Sequence, residues 1–253
     1  MTIGKLEWDS FISKMRKVND AATEALRKYI AANGIPTTLV ETNALIEYAY
    51  SVSTVLGEAA AALAANMYDA VALASGVSVP AAVPAATPEL GEVAKAIRGT
   101  MKTENEEIIS AAIGRLVKRT GVDTTMQNAL RDGAEWAWIP SGDTCAFCIM
   151  LASRGWQKAS REAIKGGHAE HIHANCDCTY AIRFDSRSNV AGYDPEELRD
   201  FYDEADGSRW QDKLNSMRRE LYRENSEEIN EQKRSAYEKR KERESSAAEE
   251  MRV

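Results

Sequence analysis

Apolar residues recur at helical spacing from Lys5 to about Asn33, at Leu6, Phe11, Met15, Val18, Ala22, Leu26, Tyr29 and Ile30. That period predicts a helix. Asn33-Gly34 followed by Pro36 marks its stop. Thr37 or Thr38 can cap a second helix, with Glu41 placing an acidic charge in its first turn. This second helix is alanine-rich and is expected to reach Ala74; its run EAAAALAAN has side chains small enough for another helix to approach closely. Residues 44–75 are the most apolar stretch, but Glu47, Glu58 and Asp69 interrupt it. Charges at those depths are costly in a bilayer, so a bundled helix is expected rather than a membrane span.

Residues 76–88, GVSVPAAVPAATP, hold three prolines that forbid a continuous helix, so an extended linker is expected. Helices resume over about 89–101 and 104–119. Thr120-Gly121 is read as the end of the latter, and Asp123 or Thr124 as the opening of another that runs to about Trp136. The pattern then changes. Residues 136–140, WAWIP, predict a short strand and Ser141-Gly142-Asp143 a turn. Residues 178–184 alternate, with Cys178, Tyr180, Ile182 and Phe184 on one face and Thr179, Ala181 and Arg183 on the other, as a strand requires. Helix returns after Asp194-Pro195, and Trp210, Leu214, Met217 and Leu221 fall at coiled-coil-like spacing. Beyond Asn225 the apolar stripe fades into a dense mixture of both charge signs. That composition fits a solvated helix or a tail that folds against a partner.

The expected fold class is therefore mainly α: long helices, a small β-containing zinc knuckle and a charged helical C-terminal tail. The expected divisions are an N-terminal helical region (1–75), a Pro/Ala-rich linker (76–88), a helical region (89–135), the knuckle (136–190) and the tail (191–253). The chain has 253 residues, 44% of them hydrophobic and 28% charged, which is ordinary globular composition. The formal net charge of -7 argues against nucleic-acid binding over the whole surface. The N-terminus lacks a charged-then-apolar-then-small pattern, so no secretory signal is expected.

All four cysteines lie within residues 145–178. Clustering of this kind suits thiols held by a metal better than a disulfide framework spread over a secreted chain. Cys145-Ala-Phe-Cys148 is followed, after 24 residues, by His173-Ala-Asn-Cys176-Asp-Cys178. Zinc takes four such ligands in a tetrahedron. Cys145 and Cys148 are the leading candidates; His173, Cys176 and Cys178 share the remaining places, with His171 as an outside choice. A surplus of cysteines favours a closed structural Zn2+ site over a catalytic one. Trp136, Trp138 and Trp156 read as plain core around it.

His168-Ala-Glu170 is an H-x-E, which zinc deaminases combine with C-x2-C, but here the order is reversed. His171, His173 and Asn175 are crowded for a His-Asn-His nuclease. Arg154, Lys158, Arg161 and Lys165 tint the intervening loop positive, as a nucleic-acid-binding ribbon would need, although a solvated face explains them as well. With all three histidines within six residues, and no legible Gly-rich phosphate loop or Ser-His-Asp set, no enzyme is expected.

The segment Asp143-Thr-Cys-Ala-Phe-Cys148, with Leu151 and Gly155 after it and then 173–178, resembles the signature of phage minor head proteins of the Mu F-like head morphogenesis family. The usual pattern there is C-P-x-C and H-P-x-C-R-C; this chain has Ala146 and Ala174 at the proline positions and Asp177 at the arginine position. The resemblance spans roughly 120–185. It implies a few-copy virion component of the head, made in the host cytoplasm and linked to the portal and the major capsid protein. Packaged DNA is a further candidate partner. It implies no membrane and no small-molecule substrate, and places Cys145, Cys148, His173, Cys176 and Cys178 at the motif positions.

Overall fold

The computed structural model describes residues 2–141, 144–160 and 178–227, and short pieces of the tail between 230 and 241. In chain order the elements are β1 (Thr2–Ile3), α1 (Lys5–Asn33), α2 (Leu39–Ala74), α3 (Leu90–Met101), α4 (Glu106–Asp132), β2 (Glu135–Ile139), α5 (Ala146–Ala152), β3 (Gln157–Lys158), β4 (Thr179–Arg183), β5 (Asn189–Val190), α6 (Pro195–Glu204) and α7 (Trp210–Glu224). The chain is mainly helical with a small sheet, as the periodicity predicts.

Helix ends follow local chemistry. Gly34 closes α1 with φ 79° and donates its N–H to Ile30 O at 2.7 Å. A left-handed residue there frees the chain to turn, and glycine adopts it without a Cβ clash. Thr38 caps α2: its hydroxyl accepts the Glu41 N–H at 3.2 Å, and the Glu41 carboxylate accepts the N–H groups of Thr37 and Thr38 at 2.9 and 3.0 Å. Those donors, Thr37's first, hold the Glu41 carboxyl below its usual range. This is the reciprocal capping box.

Helix α4 is the centre of the bundle and is buried on nearly every side, against α1, α2, α3 and β4. Here the expectation of two helices divided at Thr120-Gly121 is corrected: a single helix runs through that pair. Gly121 is a place of close approach. A Cβ on it would lie 2.6 Å from Met15 Cε and 3.3 Å from the Ala60 carbonyl oxygen. Gly114, two turns earlier on the same helix, sits likewise against Thr23 and Asn19 of α1. The small residues of α2 meet this surface as anticipated: Ala60, Ala61 and Ala64 are buried, and Gly57 lies against Thr120.

The segment 76–88 is extended, as its prolines demand, and it is fastened along the bundle. Asp69 accepts the Ala82 N–H at 2.8 Å, Thr124 Oγ1 accepts the Ala85 N–H at 2.9 Å, and the Asn128 amide both accepts from Val83 N–H and donates to Val83 O at 2.9 Å. Arg131 donates to the carbonyls of Pro80 and Ala81. An extended segment has no internal backbone bonds, so these side chains supply the partners its polar groups need.

Asp132 anchors this arrangement. Arg131 bonds both its carboxylate oxygens at 2.7 Å, and the buried Tyr68 hydroxyl donates to it at 2.8 Å. Arg131 first, then Tyr68, hold the Asp132 carboxyl below its usual range. Folding therefore favours the ionised form. The stabilisation is present above the unfolded carboxylate value of about 4 and is lost as pH falls through the lower folded value. Asp132→Asn is expected to cost about 1–3 kcal/mol at neutral pH. In urea unfolding the gap from the parent protein should narrow below about pH 4. A gap that stays constant from neutral pH into the acid range would refute this role.

A three-stranded antiparallel sheet, ordered β3-β2-β4, packs on the bundle. Trp138 pairs with Tyr180 and Trp136 with Ile182, so these four share one face. The alternation predicted for 178–184 is thus kept, but both faces of β4 are covered and only Arg183 is partly exposed. A separate two-stranded parallel ribbon joins β1 to β5 and ties the start of the chain to residues 189–190. The Leu214, Met217 and Leu221 stripe of α7 packs into the chain's own core, in contact with α5, and no coiled coil is seen among the described residues. A short apolar stripe reads the same whether its partner is a neighbouring molecule or the chain's own next helix.

Candidate functional site

Strand β2 ends at Ile139 and the chain leaves it through Pro140 and Ser141; Cys178 delivers it back into β4. The Ser141 N–H donates to Cys178 Sγ at 3.4 Å, which extends the β2–β4 pairing by a sulfur contact. Cys145 is the residue before α5, and Cys148 is buried in that helix's first turn. Cys145 and Cys148 thus stand at the start of α5 and Cys178 just before β4, with Cys145 half-buried and the other two buried. His173 and Cys176, and with them His168, Glu170, His171, Asn175, Arg161 and Lys165, lie outside the described residues. Among the described residues no three His, Cys, Asp or Glu side chains form a metal-holding group.

Helix α5 was not legible in the sequence. Seven residues, Ala-Phe-Cys-Ile-Met-Leu-Ala, are too short and too uniformly apolar for a period to show. Its burial is tertiary. The Tyr193 hydroxyl donates to Ala152 O at 2.6 Å and Arg199 Nε donates to Ser153 O at 3.3 Å, so donors from beyond β4 satisfy the carbonyls at its C-terminal end. Burial, first among the causes, pushes the Tyr193 phenol well above its ordinary pKa.

The sheet beneath is held by aromatic and ionic contacts. Tyr180 meets Trp136 and Trp138 edge-on, with ring centroids 4.5 and 4.7 Å away. The Arg183 guanidinium bonds Glu135 directly across the strands at 2.7 Å, donates to the carbonyls of Ser186 and Ser188, and covers the Trp156 ring at 4.7 Å. Trp156 in turn donates to Asn189 at 3.1 Å. Trp136 and Trp138 are core, as read, while Trp156 is only partly buried and bridges three elements. Arg154 lies exposed just beyond α5, and Lys158 pairs opposite Glu135 on the edge strand β3.

Two chemical consequences follow. Strands β2 and β4 are already paired in register over five residues, without a metal. A metal here would instead close the long excursion between Ser141 and Cys178. Beside it, a cleft of about 470 Å3 opens between α1, the end of β2 and the start of α6. Lys5, Arg16, Asp9, Asp194 and Glu197 all line that cleft, so both charge signs are present and no single ligand class is selected.

No helix among the described residues is long and apolar enough to cross a membrane. No curated protein and no solved structure matches the chain. The VG15 protein family matches it over residues 2–205, from β1 through α6, with the cysteine-bearing end of the sheet inside the match. On that match, which takes in the whole bundle and the sheet, the chain belongs to the VG15 protein family and is a phage protein.

Proposed function

We propose that this chain is a structural minor capsid protein of a tailed phage. In this reading it is made in the host cytoplasm, joins the head during morphogenesis beside the portal, and contacts the portal and major capsid proteins. Packaged DNA is a further candidate partner. One Zn2+ is held by donors drawn from Cys145, Cys148, His173, Cys176 and Cys178, and it acts as a fastener and not as a reaction centre. Membership of a phage family supports the setting. What supports the metal is the spacing of Cys145, Cys148 and the 173–178 donors along the chain, together with a backbone N–H directed at the Cys178 sulfur. Such N–H donors suit a sulfur that carries negative charge, as a zinc-bound thiolate does. When bound, zinc would contribute folding energy to the 142–177 excursion.

Two measurements test the two halves separately. Metal analysis of the purified full-length chain is expected to find about one zinc per chain. Cys148→Ser and Cys178→Ser should each lower zinc retention roughly tenfold or more in competition with a chelator. A metal-free protein that is folded and fully active in assembly would sink the fastener. For the setting, the chain should be present in purified virions and co-purify with the portal; its absence from both would end the head-protein reading whatever the metal result.

A further inference from the structure

Helix α2 is apolar around most of its circumference, yet it is not covered all round. One face packs on α1, α3 and α4 through Leu45, Ala49, Ala60, Ala64 and Tyr68. The opposite face is open except at Asp69, which holds the extended segment through the Ala82 N–H. Val40 is 80% exposed, Val55 64% and Leu73 82%, and Ala44 and Ala62 are exposed between them. By the 3.6-residue period these five positions share one stripe, which runs for about 50 Å at 1.5 Å per residue. A helix this apolar is normally buried on all sides, yet Val40, Val55 and Leu73 stand in solvent along one face, with Glu47, Ser51 and Glu58 between them.

The charges around the stripe select its occupant. Between Lys28 and Lys95 the chain contains no lysine, arginine or histidine. The charged side chains on the stripe itself are Glu47 and Glu58, both exposed, and Asp69, whose carboxylate accepts the Ala82 N–H. A nucleic acid or an anionic lipid surface would meet only like charge there. A second copy of α2 fares no better. Laid parallel it sets each glutamate beside itself, and laid antiparallel about residues 52–53 it sets Glu47 beside Glu58. Like charges so placed oppose pairing. The small residues Ala44, Ser51 and Ala62 meanwhile leave room for a backbone to come close.

We propose that the outward face of α2 is a docking surface for a helix of a different protein, one that carries an apolar stripe flanked by lysine or arginine. The apolar side chains bury Val40, Val55 and Leu73, and the cations answer Glu47 and Glu58. Recognition of this type is helix against helix, with anchors spaced every three or four residues. It requires neither the zinc nor the portal.

The test uses the full-length chain with a photo-cross-linking amino acid at Val55, produced in cells in which the phage assembles. Mass spectrometry is expected to identify a cross-linked segment from another protein, helical in period and net positive. A synthetic peptide of that segment should bind the purified chain, more weakly as salt rises. The double variant Val55→Glu, Leu73→Glu should lower its affinity roughly tenfold or more, while its melting temperature stays that of the parent, because both positions are exposed. Cross-links confined to a second copy, to nucleic acid or to lipid, an absence of cross-links, or unchanged affinity in the double variant would each overturn the proposal. A basic helical partner from outside the head would uphold this surface and count against the head-protein reading.

Discussion

Trp138→Ala is expected to destabilise the protein by about 3–5 kcal/mol, the usual range for deleting a large buried aromatic side chain. Trp138 is 2% exposed and lies opposite Tyr180, the residue through which β4 meets both tryptophans of β2. Removing the indole empties a space that the flanking strands cannot collapse into, because Ala137 and Ala181 hold the neighbouring register. Chemical denaturation should show a lower midpoint with an unchanged slope. Tyr180→Phe provides the contrast. The Tyr180 hydroxyl is buried and has no hydrogen-bond partner among the described residues. Burial first of all pushes its pKa well above the ordinary phenol value. Deleting an unpartnered buried hydroxyl relieves a desolvation cost, so the variant should match the parent or gain up to about 1 kcal/mol. A loss larger than that would show that the hydroxyl has a partner and that the site is polar where it is read as apolar.

Gly121→Val should cost about 3 kcal/mol, near the upper end of what overpacking a core usually does. The first added carbon would already press on Met15 Cε at 2.6 Å, which can swing away, and on the Ala60 carbonyl oxygen at 3.3 Å, which belongs to the backbone of α2 and can move only with its helix. Valine then adds two more methyl groups and a branched rotamer that helices disfavour. Gly99→Ala is the control. Nothing lies within 4 Å of a Cβ built at Gly99, so alanine there should stabilise α3 by about 0.5–1 kcal/mol. If both substitutions had the same sign in thermal unfolding, glycine's role in α4 would be conformational rather than steric.

These two glycines show where the sequence could and could not be read. Thr120-Gly121 looks like a stop because glycine is a poor helix former. Nothing in the neighbouring residues reveals that α1 and α2 converge on that point, through Met15 and Ala60, from 106 and 61 positions away. Helix α5 and the short strands β1, β3 and β5 were missed for a related reason. Each is too brief to express a period, and each exists because a distant partner supplies its hydrogen bonds: Ala191 for Ile3, Trp136 for Gln157, Tyr193 for the end of α5. At the candidate site, the cysteine spacing was visible, but that Cys178 receives the Ser141 N–H was not.

What the sequence determined by itself is whatever depends on neighbours along the chain. It set the limits of α1, the Thr38–Glu41 cap of α2, the proline-enforced extension of 76–88 and the alternating faces of β4. Each is decided by a few consecutive side chains and the backbone between them. The tertiary structure alone decided that α4 runs unbroken through Gly121, that residues 80–85 lie bonded to α2 and α4, that the α7 stripe turns inward on α5, and that one face of α2 is left open. Those outcomes rest on close packing and hydrogen bonding between residues far apart in the chain, where a fraction of an ångström at one contact outweighs local preference.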